Sequence, residues 1–375
     1  MIEGFATAEG TARYRDRFPE LNRAGNFRQS AYVPGVSELS LSSLGLGTYL
    51  GEADAAADSA YTEAILQAVR SGVNVLDTAI NYRHQRSERN IGAALGQMTA
   101  SGELKRDEIL VCTKAGYLCF DGEAPDDPRG YFIEEYINKG IMRPTEIAGG
   151  MHCMAPAYLE NQIERSRTNL KLETIDVFYL HNPESQLGAG VSPADFRHRL
   201  RDAFAALEKM VKANKIRFYG CATWNAFRLP NTQREAISLQ EVVTVAREVG
   251  GDGHHFRFIQ LPFNLAMPEA AALKNQAFDK EMLSVFEAAE RTGVAVIGSA
   301  TLYQGRLTQG LPEVVRRKLG TTNDTESAIQ FARSAPGITT ALIGMGHKEH
   351  VVANLVVAAK TPVQREQWES LFQQV

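Results

Sequence analysis

The chain reads as a single α/β domain, a (β/α)8 barrel of the TIM type, and three features of the sequence point there. Short apolar runs alternate with longer amphipathic stretches from residue 44 onward. Eight such repeats favour closure into a barrel over an open doubly wound sheet. No Gly-x-Gly-x-x-Gly fingerprint follows an early strand, which weakens the open-sheet alternative.

The strands are expected at 44–50, 73–76, 109–112, 175–180, 216–219, 256–261, 294–297 and 339–343. Each run is short, rich in β-branched or aromatic residues and bounded by polar residues or glycine, as suits a strand buried on both faces. Helices are expected between and after them at 57–71, 87–98, 157–170, 193–213, 238–249, 279–292, 326–334 and 347–359. In the first of these, Tyr61, Ile65, Ala68 and Val69 recur at the spacing of one helix face. Residues 1–43 precede the first strand and are expected to cover the barrel floor. Residues 115–156 carry Pro125, Pro128, Gly130, Gly140, Pro144, Gly149 and Gly150 and form a long loop after the third strand. Loops at that end of a barrel surround its active site, so this one is either a lid or specificity element or a surface insertion. Residues 361–375 are expected to form a helix packed outside the barrel. No linker or low-complexity tract divides residues 1–375.

Composition sets further bounds. A 375-residue chain that is 44% hydrophobic and 22% charged can bury a large core. A net charge of -4 gives no reason to expect nucleic acid as a partner. No apolar run approaches the ~20 residues that span a bilayer. The first residues carry charges of both signs (Glu3, Glu9, Arg13, Arg15, Asp16, Arg17), unlike a signal peptide, so a cytoplasmic protein is expected. Cys112, Cys119, Cys153 and Cys221 have no repeated spacing and read as reduced thiols. Met151-His152-Cys153-Met154 groups soft donors, but adjacent residues rarely converge on one ion, so no metal site is expected. Nothing in the sequence specifies an oligomeric state.

Residues at the carboxyl ends of barrel strands face the catalytic mouth. The second strand runs into Asp77-Thr78-Ala79-Ile80-Asn81-Tyr82, the third into Thr113-Lys114, and the fourth into His181-Asn182-Pro183. Three consecutive apolar strands therefore end in an acid, a base and an imidazole, with a tyrosine five residues beyond the acid. Ionisable groups so placed must be paired or functional, because an unpaired buried charge costs several kcal/mol. Singly, Asp77 could cap a turn, Tyr82 could be a surface aromatic and His181 a satisfied core histidine; their convergence favours chemistry. A carbonyl that accepts a hydride develops negative charge on oxygen and needs a proton donor. An ordinary tyrosine, with a pKa of ~10, is a poor donor at neutral pH, and a nearby ammonium such as Lys114 would lower it. Asp77 would orient Lys114, and His181 would hydrogen-bond the substrate oxygen.

With these residues the sequence resembles the aldo-keto reductase superfamily. The signature is Asp77-Thr78-Ala79 with Tyr82, then Ser87-Glu88 and Gly92, while Lys114 and His181 fall where that family places its lysine and histidine. The resemblance runs from about Leu44 to about Leu355. It implies a (β/α)8 barrel, a catalytic tetrad of Asp77, Tyr82, Lys114 and His181, and reversible reduction of a small-molecule aldehyde or ketone to an alcohol. It also implies cofactor contacts. Gly47-Thr48-Tyr49 matches the turn beside the nicotinamide ribose, and Gln260 the carboxamide-binding glutamine. Ala222-Thr223 stands where a Ser-Asn or Ser-Arg pair is usual, so Thr223 or Asn225 would have to replace one bond. Ser299 stands in place of an aromatic that stacks on the nicotinamide, leaving Trp224 or Tyr303 for that contact. The backbone from Ser299 through Leu302 to Gln304 would approach the pyrophosphate. Gly344, Gly346, His350 and Asn354 match the adenosine-phosphate segment. Basic residues usual at two of these positions are replaced by Gly346 and His350, and Lys348 is left to reach a 2′-phosphate. The resemblance favours NADP(H) over NAD(H). A regulatory or redox-sensing barrel with slow turnover is the alternative reading. A metal-dependent hydrolase is set aside, because Lys114 between Asp77 and His181 opposes a cation. Substrate specificity is assigned to the mouth loops 116–156, 184–191 and 224–235 and to the chain's end, with Phe120, Tyr131, Tyr158, Trp224 and Phe227 as wall or anchor residues.

Overall fold

The computed structural model describes residues 1–30, 32–278 and 280–372. Eight parallel strands close into a barrel: β1 (Leu44–Gly47), β2 (Val75–Asp77), β3 (Leu110–Ala115), β4 (Ile175–His181), β5 (Ile216–Ala222), β6 (Phe256–Pro262), β7 (Ala295–Ser299) and β8 (Ile338–Gly344). Each pairs with its neighbours in chain order, and β8 closes on β1 with Gly344 opposite Gly47. The helices that follow the strands are α1 (Ala55–Arg70), α2 (Arg86–Ala100), α3 (Pro156–Leu170), α4 (Pro193–Lys212), α5 (Leu239–Gly250), α6 (Val285–Thr292), α7 (Asp324–Ser334) and α8 (Lys348–Leu355).

The period of two along each strand sorts the side chains into two cores. Val75, Leu110, Cys112, Val177, Tyr179, Phe218, Phe258, Ala295, Ile297 and Leu342 pack inside the barrel. Their alternates, among them Leu46, Leu76, Val111, Phe178, Tyr219, Ile259, Val296 and Ile343, pack outward under the helices. The inner core continues into Val33, Val36, Leu39 and Leu41, so the segment before β1 fills the amino end of the barrel as expected. A short hairpin, Phe27–Arg28 against Leu41–Ser42, frames that plug.

Three expectations need correction. The sixth helix starts at Val285, not near 279, because Ser284 and Glu287 form a reciprocal capping box that fixes its first turn. The hairpin of Gln276–Phe278 and Glu281–Leu283 takes the preceding stretch; Asp279 lies outside the described residues. The last barrel helix ends at Leu355 and tightens to a 3-10 turn over Val356–Ala359. The expected helix at 361–375 is limited to Arg365–Glu369 and a 3-10 turn, Ser370–Phe372, with residues 373–375 outside the described set. Trp368 anchors it, buried against Phe331 and Phe263.

The loop after β3 is folded, not open. It holds a helix at Pro128–Phe132 that runs into a π turn at Ile133–Ile137. Buried Tyr136 donates to the Cys119 carbonyl and packs on Tyr158 of α3. Phe120, Tyr131 and Phe132 pack against one another. These contacts tie the loop to the outside of the barrel rather than across its mouth.

Candidate active site

The same alternation that builds the inner core places the polar cluster. Asp77 lies two residues beyond inward-facing Val75, Lys114 two beyond Cys112, His181 two beyond Tyr179, and Gln260 two beyond Phe258. All four are therefore delivered to the carboxyl end of the barrel as its last inner layer. Lys114 Nζ donates to Asp77 Oδ1 at 2.5 Å and to the Thr78 carbonyl at 2.8 Å. Gln260 Nε2 donates to the other carboxylate oxygen of Asp77 at 2.8 Å. Tyr82 comes from the loop after β2, whose Ile80 amide still bonds the Lys114 carbonyl at 3.1 Å. Its hydroxyl stands 3.5 Å from Lys114 Nζ. The Tyr82 and His181 rings meet edge-on at 5.7 Å. The structure thus brings Asp77, Tyr82, Lys114 and His181 together.

The Tyr82 loop is held in a costly conformation. Arg83, His84 and Gln85 have φ of 47°, 54° and 71°, the left-handed region that side chains avoid. Arg83 holds it there: the buried guanidinium pairs with Asp58 at 2.7 Å and donates to the Glu52 carbonyl and Asn90. Behind Lys114, the buried carboxylate of Glu88 on α2 accepts from Thr113 of β3 at 2.6 Å and from Asn169 of α3 at 2.8 Å.

Burial sets the protonation states. It pulls the Lys114 ammonium down, but Asp77 and Tyr82 more than offset this and leave it above the ordinary lysine value. Burial also pushes the Tyr82 phenol up, and Lys114 only partly counters it. The expected net lowering of that phenol is therefore not found; the ammonium acts in the expected direction, and desolvation outweighs it. Burial, Lys114 and His152 hold His181 well below its ordinary value, so the ring is neutral. Its Nδ1 has no partner among the described residues. His152, from the loop after β3, bonds the His181 carbonyl through Nε2 at 2.8 Å and meets Gln186 Nε2 through Nδ1 at 2.7 Å. It serves as a brace in the second layer, and no group of His, Cys, Asp and Glu suited to a metal occurs among the described residues.

A cleft of about 1360 Å³ opens from this cluster. It runs from Tyr82 and His181 past Thr223, Gln260 and Ser299 to His350 and Asn354. Of the residues the resemblance assigns to a cofactor, Gly47, Thr48, Tyr49, Asp77, Thr223, Gln260, Ser299, Leu302, Gly344, Gly346, His350 and Asn354 line it. Its volume exceeds the range of about 300–1,000 Å³ of drug-sized pockets, as an extended ligand with a second small molecule requires. Asn81 Oδ1 and Thr301 Oγ1, buried polar atoms without a partner among the described residues, belong to lining residues, so a bound ligand could satisfy them. The residues present thus fit a dinucleotide.

Several finer expectations change. Asn225 is committed to Glu235 at 2.7 Å and does not line the cleft, which leaves Thr223. Tyr303 lies under Arg306, so Trp224, half-exposed over the cleft, is the aromatic available to a nicotinamide face. Lys348 Nζ sits 3.5 Å from Glu63 and does not line the cleft. Of the proposed wall residues only Trp224 borders the cleft; Phe120, Tyr131, Tyr158 and Phe227 anchor loops. From the long loop after β3 only Tyr117 reaches the lining, and it stands edge-on to His181 at 5.3 Å. Sequence reasoning missed Tyr117, Asn81 and Asn182. Their signal was position, since each lies just past a strand end that had already supplied a catalytic candidate.

Fold and site together define a barrel with a buried cluster of ionisable side chains at one end of a long cleft. The chain belongs to the aldo/keto reductase family, whose model matches residues 43–373. The uncharacterized oxidoreductase YqkF of Bacillus subtilis (strain 168) is 26% identical over 212 residues, 56% of this chain and 53% of that protein. The NADH-specific methylglyoxal reductase of Escherichia coli (strain K12) is 24% identical over 200 residues, 51% of each. The chain spans about half the length of these curated relatives. Among solved structures, the holo form of aldo-keto reductase AKR11C1 from Bacillus halodurans matches with a TM-score of 0.62 at 20% identity, over 93% of this chain and 97% of that one. An aldo/keto reductase from Klebsiella pneumoniae in complex with NADP and acetate matches with a TM-score of 0.57 at 19% identity, over 89% and 91% of the two chains. At such identities these likenesses speak to the fold.

Proposed function

We propose that the protein reduces a small aldehyde or ketone to its alcohol, reversibly, with a nicotinamide dinucleotide. The observation that carries this reading is Lys114 Nζ, held between Asp77 Oδ1 at 2.5 Å and the Tyr82 hydroxyl at 3.5 Å, beside neutral His181. When bound, the reduced nicotinamide supplies a hydride to the carbonyl carbon. The carbonyl π electrons then pass to oxygen, which takes the proton of the Tyr82 hydroxyl. The fixed ammonium of Lys114 stabilises the phenolate left behind, and Asp77 and Gln260 keep that ammonium in place. A neutral imidazole at His181 offers the same oxygen an N–H without competing to protonate it. Tyr49, Tyr117 and Trp224 border the mouth, which suits a small uncharged carbonyl compound.

Cleft, tetrad and family membership support this reading. One relative is solved with NADP and another is NADH-specific by name, so both dinucleotides occur among similar proteins. Stopped-flow mixing of the protein and reduced dinucleotide with a panel of reactive aldehydes tests the reading. Single-turnover loss of nicotinamide absorbance is expected. Tight binding with no turnover on any aldehyde would favour the regulatory alternative.

A further inference from the structure

Resting on the reductase reading, we infer that the cleft selects a dinucleotide without a 2′-phosphate, so that NAD(H) is preferred to NADP(H). Because the reacting centre lies at Tyr82, the remote half of a dinucleotide must occupy the other end of the cleft. There the lining comes from Gly346, His347, His350, Ala353 and Asn354 around α8, and from Asn323, Thr325, Glu326 and Ile329 at α7. A 2′-phosphate carries nearly two negative charges and is ordinarily met by a lysine or arginine.

No lysine or arginine lines this cleft among the described residues. The ionisable lining groups beyond the reacting centre are the carboxylates Glu52, Asp54 and Glu326, with His347 and His350. Among the described residues, the cations around the cleft lie outside its lining, in ion pairs or on an aromatic ring. Lys348 pairs with Glu63 on α1 at 3.5 Å, and Lys360 with Glu326 at 3.4 Å. Arg83 and Arg86 both pair with Asp58, at 2.7 and 2.6 Å. Arg306 stacks on Tyr303. Gly346 cannot readily give way to a basic residue, because a Cβ there would come within 3.1 Å of the Tyr61 ring. The free N–H groups at the start of α8 favour an anion, but a helix end is a weak and readily screened attraction. The lining carboxylates Glu52 and Asp54 work against it, while Glu326 is offset by Lys360. A ribose hydroxyl needs no cation, since the side chains of His350 and Asn354 in the lining can hydrogen-bond it.

Trp224 borders the cleft and is 41% exposed, while the second tryptophan, Trp368, is buried, so intrinsic fluorescence reports binding directly. At pH 8 and moderate salt, NADH should bind at least about tenfold more tightly than NADPH, as expected from the loss of one charge-assisted contact. His350→Arg, on the face of α8 that lines the cleft, should shift the NADPH-to-NADH affinity ratio about tenfold toward NADPH. Glu63→Gln, which frees Lys348, should act in the same direction more weakly. NADPH binding as tightly as NADH to the native protein would overturn the preference while leaving the reductase reading intact. If neither dinucleotide changes the fluorescence, both readings are overturned.

Discussion

At the scale of single residues, the site is organised by desolvation more than by any one charge. Lys114 and Asp77 are nearly fully buried and form an ion pair that Gln260 and the Thr78 carbonyl complete. Such a pair is valuable only whole, since removing one partner strands the other in a low dielectric. Lys114→Met should therefore destabilise the protein by about 3–5 kcal/mol, well beyond a surface substitution. Adding Asp77→Asn should recover part of that loss in a chemical-denaturation double-mutant cycle. If the two losses simply add, the pair is not the coupled unit described here. The same desolvation favours the protonated phenol of Tyr82. Sequence reasoning identified the ammonium's influence on this phenol but had no access to burial, and so misjudged the net direction.

At the scale of elements, what could be read in the sequence was periodicity, and what could not was closure of loops on themselves. All eight strands were found because each pairs two apolar faces with polar punctuation. Seven of their carboxyl ends were placed too early, since polar residues such as Asp77, Lys114 and His181 are still inside their strands, while the first strand, expected to reach residue 50, stops at Gly47. The same feature that hid the strand ends marked the active site. The start of the sixth helix was missed although Ser284 and Glu287 carried a capping signal, because the upstream Lys280-Glu281-Met282-Leu283 is made of good helix formers. The folding of the loop after β3 depends on tertiary contacts of Tyr136 and Tyr158, which no local pattern encodes. Close packing of α2 on the end of α3 depends on Gly92, where a Cβ would lie 2.3 Å from the Asn169 carbonyl oxygen. Gly92→Ala should thus cost about 1–3 kcal/mol despite alanine's better helix propensity. Gly96→Ala in the same helix meets nothing within 4 Å and should stabilise by about 0.5–1 kcal/mol. Equal urea midpoints for the two variants would refute this packing argument.

At the scale of the whole molecule, buried neutral histidines couple the site to stability. Burial lowers His152 to about 4, and burial with Lys114 and His152 holds His181 well below the usual histidine range. The unfolded chain protonates both near pH 6.5, whereas the folded protein resists. Stability is therefore full above that pH and falls as pH drops, for His152 across the window from about 6.5 to about 4. Each such group contributes a slope of about 1.4 kcal/mol per pH unit. His152→Gln should remove one group's share, measured as unfolding free energy against pH; an unchanged slope would show that its ring is not the neutral brace described. The barrel's larger achievement is convergence, since strands β2, β3 and β4 and one strained loop meet around a single phenol. Tyr82→Phe probes that most directly, because it deletes one hydroxyl and keeps the ring against Tyr49 and His181. Single-turnover hydride transfer should slow by about 10²–10⁴-fold, the usual worth of a general acid. Dinucleotide affinity, read from Trp224 fluorescence, should stay within about twofold. Unchanged turnover, or a parallel loss of turnover and affinity, would contradict a proton-donating Tyr82.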